Sequence, residues 1–229
     1  MNSLAKAWFR KFTASVPSLR PPIWKLAQFR ELAYHRGEGG AWRASEDFMR
    51  HTQQLFERWG YDRRQLGGQR IVDVGAGSRL RSRYFEGAEI IAIEPLAAKF
   101  RQLSFCDLDK AKSVFTIPAE ERVEDLVGTA SLVICINVLD HVLDSYGVLA
   151  NCCSYLRDGG EFLLSVDLHP GEVSPVHLSD LSDRDVRQGL SKLSMQVLRE
   201  FKDEPYGHGD CALTMISKKS ADRNVPDLS

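Results

Sequence analysis

The stretch IVDVGAGSRL, residues 71–80, decides the fold class of this 229-residue chain. It starts as a run of β-forming residues and then breaks into two glycines, Gly75 and Gly77, with one residue between them. Such an ending lets the backbone turn tightly and lets a bulky ligand lie against it without meeting a Cβ. We therefore predict a ligand site beyond the carboxyl end of a strand, where open α/β sheets bind their ligands.

Three further runs downstream have the composition of buried parallel strands, being nearly continuous, apolar and rich in Val and Ile. They are EIIAIEP (89–95), ASLVICIN (130–137) and EFLLSVDL (161–168). Between the last two we predict a helix that begins near Asp144 and ends at the DGG of 158–160, which gives a βαβ unit. The alternating runs SMQVLREF and CALTMISKK predict an antiparallel hairpin at the sheet edge.

The first 65 residues contain no good strand candidate, and helices are expected to dominate there. The clearest helix is predicted over 45–59, and the RPP and GEGG stretches are expected to separate helices. The domain organisation predicted from these patterns is an N-terminal helical cap over 1–65, an α/β domain over 66–218 and a polar tail over 219–229.

Composition excludes several partners and sites. Lys and Arg total 30 against 31 for Asp and Glu, so the net charge of −1 gives no field that favours nucleic acid or an anionic membrane. The five cysteines show no CxxC spacing, so we expect reduced thiols and no metal site. No apolar run is long enough for a signal segment or a membrane span, which predicts a cytoplasmic protein.

The nature of the ligand is indicated by Glu94, which ends the second predicted strand 17 residues after Gly77. A carboxylate there can accept hydrogen bonds from both hydroxyls of a ribose, so an adenosine-type cofactor is predicted. A nicotinamide fingerprint would place a third glycine at position 80, where the chain has Leu80. No GK[ST] occurs anywhere, which disfavours a P-loop enzyme.

Four motifs, VDVGAG, IAIEP, LVICINVLDHV and LRDGGEFLLSVD, follow one another in an order and spacing typical of one family. Over about residues 68–218 the chain resembles the class I S-adenosylmethionine-dependent methyltransferases, and among them a small-molecule subgroup. The resemblance implies an α/β fold, namely a Rossmann-like, doubly wound, seven-stranded sheet with the C-terminal hairpin and the N-terminal helical cap. It also implies that the cap of residues 1–65 shapes the substrate pocket, where the aromatics Trp24, Tyr34, Trp42 and Phe48 suggest a partly apolar acceptor. It also implies S-adenosylmethionine as cofactor and S-adenosylhomocysteine as product.

The resemblance assigns cofactor roles to the first two strand ends. It places Asp73 near the methionine portion of the cofactor. Gly75, Ala76 and Gly77 would line the backbone contact, and Glu94 would hold the ribose.

The later strand ends receive roles in the same way. Pro95 and Leu96 would flank the adenine. Where the family often has an acid after the third strand, this chain has Pro118 followed by Ala119 and Glu120, so Glu120 is either a substitute for that acid or a surface charge. Asn137 would border the methionine portion and the transferred methyl group.

Methyl transfer from a sulfonium is a direct displacement, so the protein mainly aligns the nucleophile, the methyl carbon and the leaving sulfur. A hydroxyl acceptor adds the need for a base, and histidine is the commonest at neutral pH. We expect His177, in the loop after the fifth strand, or His141, just past the fourth, to serve as catalytic base. The alternatives are a solvated loop residue for His177 and a pocket-supporting residue for His141.

The function expected from these observations is methyl transfer to a small-molecule acceptor, first of all a hydroxyl oxygen of a natural product or sugar. Methylation at nitrogen or carbon stays open, and so does a homo-oligomeric state. The alternative from another class is a catalytically silent cofactor-binding partner in a complex, since the chain lacks the family's third glycine and has Pro118 after the third strand.

Overall fold

Seven strands form one mixed sheet in the computed structural model, which describes residues 20–168, 178, 181–203 and 212–219. In chain order the strands are β1 (Arg70–Val74), β2 (Glu89–Ile93), β3 (Ser113–Phe115), β4 (Ala130–Ile136), β5 (Leu156–Asp167), β6 (Met195–Asp203) and β7 (Ala212–Lys219). Their order across the sheet is β3-β2-β1-β4-β5-β7-β6, with β1 to β5 parallel and β7 antiparallel to both neighbours. The expected seven-stranded sheet and its terminal hairpin are confirmed.

The strand order reverses between β1 and β4, which pair in parallel although β2 and β3 lie between them in the chain. The connection after β1 leads to β2 on one side of β1, and the connection after β3 crosses back to β4 on the other side of β1. The two connections therefore run in opposite directions across the sheet. A crevice opens at such a switch point beyond the carboxyl ends of the strands. The turn at Gly75 and the residues after Ile136 border this crevice.

Among the residues that the structure describes, six α-helices flank the sheet or precede it. They are α1 (Arg20–Arg36), α2 (Glu38–Ala44), α3 (Asp47–Arg58), α4 (Ala97–Phe100), α5 (Ser145–Tyr155) and α6 (Asp183–Lys192). Residues 20–65 contain helices and turns without a strand, so the helical character expected for the N-terminal part is confirmed over its described portion. No helix among the described residues has the length and apolarity needed to cross a membrane.

Successive strand residues point to opposite sides of the sheet, and apolar clusters cover both faces. Ile71 packs on one face with α3, and its neighbour Val72 packs on the other face with α5 and α6. The residues packed against Ile71 include Leu55, Phe56 and Trp59, and those in the cluster of Val72 include Val148, Leu149 and Val186. The doubly wound arrangement therefore follows from the two-sided apolar character of the strands.

Three helix and strand limits differ from the sequence prediction. The RPP stretch begins α1, since proline is tolerated in the first turn of a helix. Of the GEGG residues only Gly37 separates helices, because Gly39 and Gly40 lie buried inside α2. The DGG at 158–160 lies within β5, while α5 already ends at Tyr155.

The connection after Gly77 contains no α-helix. A 3-10 turn over Arg81–Tyr84 takes the place of the usual crossover helix. The segment from Gly77 to Ala88 is too short for a full crossover helix. It also has Arg79 at the position where the family often has a third glycine.

Candidate functional site

A cavity of about 550 Å³ lies beyond the carboxyl ends of the central parallel strands. All ten residues that the sequence assigns to cofactor binding line it. They are Asp73, Gly75, Ala76, Gly77, Glu94, Pro95, Leu96, Ala119, Glu120 and Asn137. Their individual roles stay predictions, but the fold brings these separated positions together around one space.

The turn after β1 depends on its two glycines. Gly75 and Gly77 have φ of +67° and +66°, a region that L side chains rarely adopt. A Cβ on Gly75 would lie 2.3 Å from Cγ2 of Val138, whereas one on Gly77 would only touch His35 at 3.5 Å. Gly75 is therefore required both by its backbone conformation and by the close approach of the segment after β4.

Glu94 fixes this turn to the end of β2. Its Oε2 accepts a hydrogen bond from the backbone N–H of Gly77 at 2.8 Å, and its Oε1 accepts one from the N–H of Leu96 at 2.8 Å. Burial, only partly opposed by these two bonds, raises the pKa of the carboxyl to about 7. A carboxylate has about four lone-pair sites, so two remain for donors on a ligand.

Asp73 is the second buried acid of the site, with 4% of its surface exposed. Burial raises its pKa to about 6, although its Oδ2 accepts a 2.6 Å hydrogen bond from the hydroxyl of Ser82. Asp73 thus joins β1 to the 3-10 turn of Arg81–Tyr84. The same side chain lines the cavity floor, so its charge is also available to a cationic ligand.

Two of the ten predicted cofactor residues have a buried side-chain oxygen without a hydrogen-bond partner in the described part of the chain: Oδ1 of Asn137 and Oε2 of Glu120. Asn137 has a positive φ of 57°, which turns the chain directly after β4. The other carboxylate oxygen of Glu120 accepts a hydrogen bond from the N–H of Leu143 at 3.0 Å. Unpaired buried acceptors together with a bare glycine turn fit a nucleoside ligand that carries hydroxyl and amino donors.

The histidine predictions have different outcomes. His141 lines the cavity, and its Nε2 lies 3.3 Å from Oδ2 of Asp140, which is only 1% exposed. Asp140 in turn accepts a hydrogen bond at its backbone oxygen from the N–H of Leu178. His177 lies outside the described residues. Of the two predicted bases, the structure therefore places only His141.

The N-terminal helices form the opposite wall of the cavity with aromatic and basic side chains. The residues of these helices on the wall are Trp24, Tyr34, Trp42, Phe48 and Arg43, and Arg81 of the 3-10 turn lies beside them. Arg81 stacks over the ring of Phe48 at 4.7 Å and donates a hydrogen bond to the hydroxyl of Thr52 at 2.8 Å. Arg79 donates to the backbone oxygen of Arg43. These arginines fasten the segment after Gly77 to α2 and α3 as well as lining the cavity.

Sequence reasoning missed two residues of α1, Glu31 and His35, that also line the cavity. His35 is buried, and its Nδ1 lies 2.7 Å from the hydroxyl of Ser78. Glu31 and His35 are four residues apart and therefore lie on one helix face, where their side chains can pair. This spacing was visible in the sequence. The contact with Ser78, 43 residues away, has no local signature, since only tertiary packing creates it.

A family model described as a methyltransferase domain matches residues 40–206 of the chain, which include most of the sheet and its helices. The ubiquinone biosynthesis O-methyltransferase of Pseudomonas aeruginosa is 29% identical over 150 residues, which are 62% of this chain and 61% of the relative. The chain thus spans about three fifths of the length of the curated relatives it matches.

Solved structures share the fold at lower sequence identity. The 1,6-didemethyltoxoflavin-N1-methyltransferase of Burkholderia thailandensis, with 1,6-didemethyltoxoflavin and S-adenosylhomocysteine bound, has a TM-score of 0.63 and 17% identity, covering 90% of this chain and 91% of its own. The [4+2]-cyclase SpnF has a TM-score of 0.56 and 14% identity, covering 76% and 81%. Since one of these two catalyses a different class of reaction, the likeness shows the fold alone.

Proposed function

The chain belongs to the methyltransferase domain family, and from this we propose that it transfers the methyl group of S-adenosylmethionine to a hydroxyl oxygen of a small molecule. The proposal rests on the hydrogen bond that the backbone N–H of Gly77 donates to the carboxylate of Glu94. It puts a carboxylate with two remaining lone-pair sites beside a backbone that a nucleoside can approach closely.

The cofactor would lie across the strand ends. Glu94 would accept hydrogen bonds from the ribose hydroxyls, and Leu96 and the Ala119–Glu120 turn would hold the adenine, where Oε2 of Glu120 lacks a partner in the described residues. The Gly75 turn and Asn137 would hold the methionine portion. A bound S-adenosylmethionine supplies an electrophilic methyl group, and the chain's own residues position it.

The acceptor would enter from the side of the N-terminal helices. Trp24, Tyr34, Trp42 and Phe48 give that wall flat apolar surfaces, which suit a ring-containing molecule. The curated relatives that match are O-methyltransferases at 27 to 30% identity, which supports oxygen as the acceptor atom. The balanced charge of 30 basic and 31 acidic residues supports a small acceptor over nucleic acid.

In the proposed reaction the acceptor oxygen forms a bond to the methyl carbon as the carbon–sulfur bond breaks. The electron pair of that bond goes to sulfur, which leaves as the thioether of S-adenosylhomocysteine, and the hydroxyl proton goes to a base. His141 is the proposed base in the described part of the chain, oriented by the buried Asp140 beside its Nε2. His177 stays the second candidate.

The test is methyl transfer from S-adenosylmethionine labelled on its methyl group to a metabolite extract, followed by purification of the labelled product. We expect one labelled product whose NMR spectrum shows a methoxy group. His141→Asn should lower kcat at least tenfold while S-adenosylhomocysteine affinity stays within twofold, because the base acts on the acceptor alone.

The result also separates the alternatives. A labelled N-methyl or C-methyl group would replace the hydroxyl acceptor by another atom. Tight binding of S-adenosylhomocysteine with no product from any extract would identify a silent cofactor-binding partner. Binding of neither cofactor form would contradict the proposed function as a whole.

A further inference from the structure

A buried histidine couples helix α1 to the glycine turn. His35 has 1% of its surface exposed, stacks on Phe100 at 4.4 Å and has both ring nitrogens engaged. Its Nδ1 lies 2.7 Å from the Ser78 hydroxyl and its Nε2 lies 2.9 Å from Oε1 of Glu31. The carboxylate of Glu31 is thereby fixed relative to the residue that follows Gly77.

The protonation of this group follows from its partners. Burial lowers the pKa of His35, so the imidazole is neutral near pH 7. A neutral ring donates from one nitrogen and accepts at the other. Since the Glu31 carboxylate can only accept, Nε2–H donates to Glu31 and the Ser78 hydroxyl donates to Nδ1.

Glu31 itself is a cavity residue with a stable negative charge. Its side chain is 40% exposed and lines the cavity. Burial opposes ionisation, but the hydrogen bond donated by His35 and, more weakly, the guanidinium of Arg43 lower the pKa of Glu31. Its charge reaches Glu94, whose pKa it raises, so the two acids share one space.

The proposed cofactor has an end that these charges match. Its ribose is assigned to Glu94, which leaves the α-amino acid end, with an ammonium and a carboxylate, to the remainder of the cavity. Glu31 offers the anion for the ammonium. Arg43, which also lines the cavity and stacks over Tyr34 at 5.3 Å, offers the opposite charge for the carboxylate.

We propose that Glu31, held in place by His35, binds the α-ammonium group of the cofactor's methionine portion, with Arg43 facing its carboxylate. This inference rests on the proposed function. The ammonium group is then bound by a helix that precedes the family match, which starts at residue 40. Glu31 is a binding residue, and His35 is a positioning residue that acts through it.

The test compares two ligands that share the adenosine thioether and differ in the amino acid. S-adenosylhomocysteine has the ammonium and carboxylate, and 5′-deoxy-5′-methylthioadenosine has neither. Both are titrated calorimetrically into the full chain. We expect Glu31→Gln to weaken S-adenosylhomocysteine at least tenfold, which is the range of a lost charged hydrogen bond. Affinity for methylthioadenosine should stay within twofold, because the glutamine oxygen can still accept the bond from His35.

Two further variants complete the design. Glu38→Gln, an exposed acid of α2, is the matched control and should leave both affinities unchanged. His35→Phe removes both hydrogen bonds and should weaken S-adenosylhomocysteine alone, with no further loss when Glu31→Gln is present.

Unchanged S-adenosylhomocysteine affinity in Glu31→Gln would overturn the inference. An equal loss for both ligands would also overturn it, since the substitution would then act on the shared nucleoside site. If the wild-type chain binds neither ligand, the proposed function and this inference fail together.

Discussion

At the scale of single residues, Glu94 joins the two features that the sequence singled out. The carboxylate at the end of β2 accepts from the N–H of Gly77 while its remaining lone pairs line the cavity. The spacing of 17 residues predicted that these positions belong together. It did not predict the hydrogen bond between them, which depends on the positive φ at Gly77.

The raised pKa of Glu94 makes nucleoside binding dependent on pH. Ribose hydroxyls donate to the ionised carboxylate, and the ligand-free carboxyl has a pKa of about 7. Binding therefore favours the deprotonated form, and affinity should fall as the pH drops below 7, by up to about tenfold per pH unit. Calorimetric titration of methylthioadenosine at pH 8.5, 7 and 5.5 measures this, because that ligand has no amino-acid groups to titrate.

The control for this dependence is Glu94→Gln, which has no carboxyl to protonate. Its affinity should be weaker at pH 8.5 and nearly flat with pH. Asp73, with a pKa of about 6, remains in that variant and contributes a smaller slope below pH 7. Wild-type affinity that stays constant from pH 8.5 to 5.5 would show that Glu94 does not meet the ligand.

Gly75 gives a stability prediction with a matched control. Gly75→Ala should lower the free energy of unfolding by about 3 kcal/mol, since the new Cβ would meet Val138 at 2.3 Å and the positive φ adds strain. Gly128→Ala has the same kind of φ, +69°, but open space around it, and should cost about 1 kcal/mol. Urea denaturation of both variants measures the difference, and equal losses would contradict the crowding at Gly75.

At the scale of elements, the segment after Gly77 is held by side chains in place of a helix. Asp107 accepts hydrogen bonds from the N–H of Leu80 at 2.7 Å and from Nη1 of Arg83 at 2.6 Å. The segment from Gly77 to Ala88 is too short for a crossover helix. Its replacement could not be predicted, because the stabilising carboxylate lies 27 residues beyond Leu80.

Removing that carboxylate should loosen the whole cofactor turn. Asp107→Ala leaves the buried N–H of Leu80 without its partner, so we expect a loss of about 3 kcal/mol in unfolding free energy and weaker binding of S-adenosylhomocysteine. The control is Asp109→Ala, whose side chain is 78% exposed and pairs with Arg101 at the surface. A loss no larger for Asp107→Ala than for Asp109→Ala in thermal denaturation would show that the turn holds without it.

At the scale of the whole molecule, the strands were the most predictable elements. Their apolar runs are buried on both faces, so the pattern in the sequence is strong for β1, β2 and β4. Helix ends were less predictable, as the early end of α5 and the buried glycines of α2 show. The contacts of Glu31 and His35 in α1 escaped prediction because they arise from packing between distant segments.

A cofactor that lies across β1, β2, β4 and the N-terminal helices should stabilise the entire fold. At a free concentration of one hundred times its Kd, S-adenosylhomocysteine should add about 2.7 kcal/mol, which for a chain of this length is a Tm increase of roughly 5 to 10 °C. Differential scanning calorimetry at several ligand concentrations measures this increase. A Tm that is independent of ligand concentration would contradict a site built from these elements together.

We claim that Glu94 and the Gly75–Gly77 turn hold the nucleoside of S-adenosylmethionine, and the affinity of Glu94→Ala measures the contribution of that carboxylate. Calorimetric titration of S-adenosylhomocysteine at pH 8 should show at least a tenfold weaker Kd for Glu94→Ala than for the wild-type chain. The control variant Glu121→Ala, which removes an exposed glutamate next to Glu120, should bind like the wild type. Equal affinity of Glu94→Ala and wild type would contradict the claim.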